Sequence, residues 1–316
     1  MNIHLNKEIF KEFLNKISVE TKIDTDILEK DYYVCCVLKE LSCKQDELKA
    51  YFKGGTAIYK ILDTTNRFSE DIDITVEYIE KESNNKNDKR LKKSATNYNI
   101  EGLELDQKAT EKNKGSITTF YNYDTVFENN MPLQRAGKIQ IEATSFTVSE
   151  PYEKYTIEPM IYKFANDDEK TILKEKFAVS SFEIKIITLE RMFIDKIFAT
   201  EFYYIREKYF DTSKHLYDIA NLWNNHKIQE LMKNAKEIEK LIEYKREEEK
   251  VRKGGVDEKI KLADFTYLNT DINSKIEKEF KNMQNKYVFN EKYKISIGEV
   301  NSILEKLKEY LKKYNI

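Results

Sequence analysis

Glycine, proline, histidine, cysteine and tryptophan are all scarce in this chain of 316 residues, at 8, 3, 3, 3 and 1 respectively. Each scarcity removes a class of function. Cys35, Cys36 and Cys43 are an odd number in one short stretch, and adjacent cysteines do not readily close a disulfide, so no disulfide framework is expected. No CxxC or HxxxH spacing occurs, which removes a structural zinc; the three thiols read as small buried hydrophobes on a helix. His4, His215 and His226 are too few for a His-rich metal centre and leave a Ser-His-Asp triad unsupported. No apolar run reaches the length of a membrane span. The N-terminal MNIHLNKEIFKEFLNK lacks the basic start, apolar stretch and cleavage site of a secretory signal. A cytoplasmic protein without a membrane partner is expected. Charge of one sign is lacking as well: 54 basic residues against 56 acidic ones leave a net charge of -2. Any contact with nucleic acid must therefore be a local patch and not the whole surface.

The familiar phosphate-binding signatures are also missing, since there is no GxxxxGK[ST], no GxGxxG opening a helix and no kinase-like catalytic loop. Against that background the stretch KGGTAIYKILDTTNRFSEDIDIT, residues 53–75, stands out. A chain with so few glycines places two together there, followed by Thr56 and, further on, by Asp71 and Asp73.

Periodicity supplies the frame. Residues 7–22 and 25–42 read as helices, 49–53 as a short strand into Gly54-Gly55, 56–62 as a short helix and 72–78 as a strand. Residues 80–98, rich in Lys and Asn, read as a loop or an exposed helix. SITTFYNYDT, GKIQIEATSF, YTIEPMIYKF and KFAVSSFEIKII have the alternating, β-branched character of strands. From Thr188 the pattern is helical to the end, with breaks expected near 209–214, around Gly254-Gly255 and at 286–297. The fold class expected is α/β (α+β): a mixed sheet flanked by helices over 1–185, then a helical region over 186–316 whose first helices pack back on the sheet.

A strand alternates its faces, so Asp71 and Asp73 point one way and Ile72 and Ile74 the other. Two carboxylates about 7 Å apart on one face repel unless solvent or a cation separates them. Magnesium takes one or two carboxylates and fills its other positions with water and phosphate oxygens. A Gly-Gly turn lets backbone N–H groups approach phosphate, and Thr56 adds a hydroxyl at a helix N-terminus. In KIQIEATSF, Ile139 and Ile141 face one way and Gln140 and Glu142 the other, so Glu142 joins the aspartates if the two strands are neighbours. The order strand, Gly-Gly-Thr, helix, Asp-x-Asp strand is similar to the phosphate-and-metal layout of polymerase-β-like nucleotidyltransferases.

A second cluster lies further on. In TLERMFIDKIFATEFYY, Leu189, Met192, Phe193, Ala199 and Tyr203 share an arc with Lys196 near its centre. A lysine there either snorkels to water or finds a carboxylate or phosphate. In SKHLYDIANLW, Asp218 flanks a face formed by Leu216, Ile219, Ala220 and Trp223.

With these residues assembled, the sequence resembles the AbiEii/AbiGii-type nucleotidyltransferase toxin family. The matching segments are EKDYYVCCVLKEL (29–41), FKGGTAIYKI with RFSEDIDIT (52–75), ERMFIDKIFA (190–199) and KHLYDIANL (214–222), in the family's order over the first 225 residues or so. The resemblance implies that Asp71 and Asp73 hold Mg²⁺ and that Lys196 contacts the NTP phosphates; the alternation adds Glu142 as a third metal ligand, and the Gly-Gly-Thr turn adds Gly54, Gly55 and Thr56 as NTP contacts. It also implies a role in the site for Asp218, as general base or as orienter. Lys214 departs from the Arg expected there, keeping the charge but losing the bidentate fork. Lys30-Asp31 matches an early family motif that a buried ion pair would explain. The function implied is transfer of a nucleoside monophosphate from NTP to an acceptor hydroxyl, with tRNA or another RNA as acceptor. The setting implied is a toxin–antitoxin or phage-defence pair with a cognate antitoxin. A binding module that has lost turnover is the alternative. Lys86, Lys89, Arg90, Lys92 and Lys93 form the basic cluster expected to meet a nucleic-acid acceptor.

Overall fold

In the computed structural model, which describes residues 1–62, 67–127 and 137–316, the chain gathers into two compact units. The first comprises Met1–Ile61, Ser69–Ser145 and Tyr152–Ile186, and the second Leu62–Phe68, Phe146–Pro151 and Ile187–Ile316.

The first unit opens with α1 (Lys7–Thr21), started by the Asn6 side chain accepting from Ile9 N at 3.2 Å. Next come α2 (Thr25–Leu48), β1 (Ala50–Lys53), α3 (Gly54–Ile61), β2 (Ile72–Val76) and α4 (Asn84–Thr96). Strands β3 (Leu103–Leu105), β4 (Glu111–Asn113), β5 (Ser116–Tyr123), β6 (Lys138–Thr144) and β7 (Tyr152–Ile157) follow, then α5 (Met160–Lys163), α6 (Asp167–Phe177) and β8 (Phe182–Ile187). The strands form one mixed sheet in the order β3-β5-β6-β2-β1-β8-β7, with β4 beside β5. β2 runs parallel to β6 and antiparallel to β1, and β1 runs parallel to β8. This is the mixed, helix-flanked sheet that the alternation predicts.

The central part of α2 is buried all round, from Ile27 to Leu38. Its charged residues therefore need internal partners. Glu29 accepts from Thr125 Oγ1 at 2.6 Å and from Val126 N at 2.8 Å. The helix runs past residue 42, where the sequence suggested an end. Gln45, buried near its end, ties it down by donating to Ala50 O at 2.9 Å and accepting from Lys185 N at 2.7 Å.

Two of the expected strands differ. YTIEPMIYKF continues as strand only to Ile157; Pro159 then caps α5, because Met160 N donates to the buried Asp31 Oδ2 at 2.7 Å. KFAVSSFEIKII becomes strand only from Phe182, since Lys176 and Phe177 close α6. That helix has a full capping box, Asn166 with Glu169, which the sequence displays and the strand reading passed over.

The second unit is built from α7 (Leu189–Tyr204), α8 (Tyr209–Trp223), α9 (His226–Leu231), α10 (Ala235–Val251), α11 (Ser274–Tyr287) and α12 (Ile297–Lys313). Helices α7, α11 and α12 all pack on α8. The break expected near 209–214 falls slightly earlier, at 205–208 between α7 and α8; Thr212 and Ser213 return their hydroxyls to the Lys208 and Tyr209 carbonyls at 3.0 and 2.7 Å, so these polar residues are satisfied within α8. Among the described residues, no helix is long and apolar enough to cross a membrane.

Candidate active site

The register of the sheet assembles the first cluster. Lys53 of β1 stands opposite Asp73 of β2, and Asp73 stands opposite Glu142 of β6. In the same ladders Phe52 meets Ile74, and Ile72 meets Ile141, so the apolar residues fill the buried face. Glu142 therefore joins Asp73 as the alternation of KIQIEATSF predicts, one strand spacing away, about 4.8 Å. The ladder also brings in Lys53, which the sequence reading left out although it directly precedes the glycine pair.

Asp71 is placed differently from its partner, for β2 begins at Ile72. Its carbonyl accepts from the buried Thr56 hydroxyl at 2.5 Å. Thr56 thus pins the segment entering β2 onto the start of α3. Gly54 has φ +84, and a Cβ built on it would lie 2.0 Å from Asp73 Oδ2. The first glycine of the pair exists because the Asp73 carboxylate lies against its Cα, in a left-handed conformation that side chains resist. Gly54→Ala is accordingly expected to cost about 1–3 kcal/mol of stability through its positive φ. It should also displace Asp73 and cut nucleotidyl transfer. A melting curve and a transfer assay check this, and wild-type values in both would remove the contact as a constraint.

Buried ion pairs brace this cluster from below. Lys30 Nζ lies 3.4 Å from Glu70 Oε2, in the segment entering β2, and Lys60 on α3 pairs with Asp31 on α2. Lys60 also donates to Glu158 O at 3.2 Å. Burial acts to lower the Lys60 ammonium pKa, but the Asp31 carboxylate outweighs it and holds the group above its ordinary value. The Lys30-Asp31 dipeptide is thus a pair of structural charges joining α2 to the segments that carry Gly54 and Asp71.

Among the described residues, no three His, Cys, Asp or Glu side chains gather closely enough to hold a metal ion. Asp73 and Glu142, side by side in register, offer two carboxylates. Such a donor set fits magnesium, which takes one or two carboxylates and completes its shell with water and phosphate oxygens.

The second cluster lies wholly in the helical unit. Lys196 on α7 is buried, and its Nζ is 2.8 Å from Asp218 Oδ2 on α8. Of the alternatives open to a lysine in an apolar arc, it has found the carboxylate. Arg67, also buried, reaches the same oxygen through Nη2 at 2.9 Å. Burial pushes the Asp218 pKa up, but Arg67 first and Lys196 second overcome it and hold the carboxyl below its usual range. His215, one turn earlier on α8, stacks on Tyr203 with ring centroids 5.2 Å apart. Burial, and then the charges of Lys196, Arg67, Lys214 and Arg252, keep its imidazole neutral, well below the ordinary His value. Lys214 is engaged with Asp211 at 3.1 Å and lies over the Phe210 ring at 5.0 Å.

Arg67 is the other residue the sequence reading missed. It stands in the singled-out stretch, six positions before Asp73, but no periodic signal marks an isolated arginine beside a loop as buried. The structure thus brings together Asp73 with Glu142 and Gly54, Thr56 with Asp71, and Lys196 with Asp218. Residues 63–66, which link α3 to Arg67 within the same stretch, lie outside the described residues.

Comparison with known proteins adds the context. A family model described as the nucleotidyl transferase AbiEii toxin of type IV toxin–antitoxin systems matches residues 36–311. No curated protein matches the sequence. Among solved structures, the chain is similar to MenT4, a nucleotidyltransferase toxin from Mycobacterium tuberculosis H37Rv, with a TM-score of 0.51 and 13% identity. The similarity covers 93% of this chain and 97% of that one, and at this identity it speaks to the fold.

Proposed function

The chain belongs to the AbiEii family of nucleotidyl transferase toxins of type IV toxin–antitoxin systems, and it is a nucleotidyltransferase; on that premise we propose a Mg²⁺-dependent transfer of a nucleoside monophosphate from NTP to an acceptor hydroxyl, with release of pyrophosphate. The observation that carries the metal dependence is the in-register pairing of Asp73 with Glu142, with Gly54 cleared of a side chain beside Asp73. Bound magnesium supplies charge neutralisation at the phosphates and orients them for in-line displacement. Asp73 and Glu142, with Asp71 at the entrance to the strand, are the residues that would hold it. Gly54 and Gly55 give the backbone close approach to the phosphate tail, and Thr56 keeps Asp71 in place. Lys196 supplies positive charge to the triphosphate, and Asp218 holds Lys196 in place before nucleotide binds. The intact carboxylate pair argues against a binding module that has lost turnover. The cytoplasm, where NTPs and RNA are at hand, is the expected location.

The reading is tested by incubating the protein with each labelled NTP, total RNA and cell lysate, with and without a chelator. Label transfer that the chelator abolishes is the expected result. A folded protein that transfers label from none of the NTPs overturns it.

For the acceptor we infer an RNA, with tRNA as the leading case, engaged through α4. Lys86, Lys89, Lys92 and Lys93 are exposed there. Arg90, included in the basic cluster on sequence grounds, is buried and spends its guanidinium on Glu77 O at 3.0 Å, Asn87 Oδ1 at 2.8 Å and Glu82, so it leaves the patch. Reversing the four lysines is expected to weaken RNA binding and flatten its salt dependence by roughly three counterions, leaving NTP binding unchanged. Filter binding across a salt series measures this, and an unaltered slope makes the face a merely solvated one.

A further inference from the structure

Two cations share one oxygen of a buried carboxylate in the helical unit, and they are held in different ways. Arg67 is fixed at three points: Nη2 to Asp218 Oδ2 at 2.9 Å, Nη1 to Phe68 O at 3.3 Å and Nε to Lys214 O at 3.4 Å. Lys196 meets the same Oδ2 by a single ammonium at the end of a flexible stem, 2.8 Å away. Asp218 is 1% exposed. A carboxylate so enclosed that loses its only counter-ion is left as an uncompensated buried charge, which is strongly unfavourable. Here the carboxylate has two such cations on one oxygen.

We propose that Arg67 is a positioning residue that stays on Asp218 as its permanent counter-charge, so that Lys196 can leave Asp218 for the phosphates of an incoming nucleotide. The inference rests on the nucleotidyltransferase reading of Lys196 and adds the residue that makes its departure cheap. Before nucleotide arrives, Asp218 keeps the ammonium from standing unpaired among apolar side chains. Once it arrives, the phosphates take over that role for Lys196, and Arg67 takes it over for Asp218. The charged and titratable groups around Asp218 and the neighbouring His215 are Arg67, Lys196 from α7, Lys214 and Tyr217 from α8, and Arg252 after α10. Arg67 is the only one of them besides Lys196 that is within hydrogen-bonding distance of the Asp218 carboxylate among the described residues.

The test is calorimetric titration with magnesium tripolyphosphate at pH 8, in buffers of different ionisation enthalpy, so that affinity and proton uptake are both read. Arg67→Gln is expected to bind about 10- to 100-fold more weakly than wild type, the worth of one charged hydrogen bond. It should also take up more protons on binding than wild type does, because Asp218 must then be protonated as Lys196 leaves. Arg67→Lys, which keeps the charge, should bind within about threefold of wild type and also serves if Arg67→Gln does not fold. Arg67→Gln combined with Lys196→Met should lose no more than Lys196→Met alone. The proposal is overturned if Arg67→Gln binds with wild-type affinity and proton count, since Arg67 is then only structural. Additive losses in the double variant overturn it too, because Arg67 would then contact the phosphates itself, as does an Arg67→Lys variant that loses as much as Lys196→Met. A folded wild type that binds no tripolyphosphate overturns this inference through the reading beneath it, whereas wild-type binding with an indifferent Arg67→Gln overturns this inference alone.

Discussion

Asp73→Asn is expected to give a folded protein in which nucleotidyl transfer is lost by about 10³-fold or more, at or beyond the upper end of what a single preorganised charge-stabilising group contributes. The substitution keeps the shape of the side chain, so the close contact with Gly54 survives. What it removes is one of two carboxylates in direct register across β2 and β6. Like charges at that spacing destabilise each other, which favours the variant's fold. Lys53, on the other side of Asp73, loses an opposite charge, which works against it. The two effects oppose, and the melting temperature should stay unchanged or rise slightly. Parallel measurement of label transfer and thermal melting decides the matter. Full activity in a well-folded Asp73→Asn protein would sink the metal assignment.

Lys196→Met should be the second severe loss, with transfer down about 10²–10³-fold and a melting temperature no lower than wild type. Methionine keeps an unbranched apolar stem of similar length in the packed face of α7. Removing a buried cation usually orphans its partner at a cost of several kcal/mol. Asp218 escapes that cost because Arg67 Nη2 remains 2.9 Å from the same oxygen. The ammonium is thus dispensable to the fold, and its loss should be felt in triphosphate binding and transition-state charge. If the variant unfolds while its folded remainder transfers at the normal rate, Lys196 is a structural charge and its assignment to the nucleotide is wrong.

Several of these features were legible before any coordinates. Alternation alone put Ile72 and Ile74 on the buried face and Glu142 opposite Ile141, because a strand's side-chain period leaves two choices and hydrophobicity selects between them. The mixed sheet followed by helices was legible for the same reason. Local capping chemistry was legible too, though the capping box at Asn166 and Glu169 went unread between two segments taken as strand.

Other features depend on residues distant in sequence. That Asp73 pairs with Glu142, 69 positions later, is settled by which strands are neighbours, and several sheet orders satisfy the same alternation. That Gly54 must lack a side chain is a consequence of where the Asp73 carboxylate folds back, not of any turn signature. Arg90 was read as part of the basic patch and Arg67 was given no role until packing buried both, and only the identity of the groups around them separates a brace for Asp218 from a brace for α4. Most element types and the facing of the strands came from local sequence, because they follow from contacts a few residues apart; α5 and α6, read as strand or left unread, are the exceptions. The tertiary structure alone decided which charges share a site, because a buried charge takes its meaning from the partner that compensates it, and that partner is chosen by the fold.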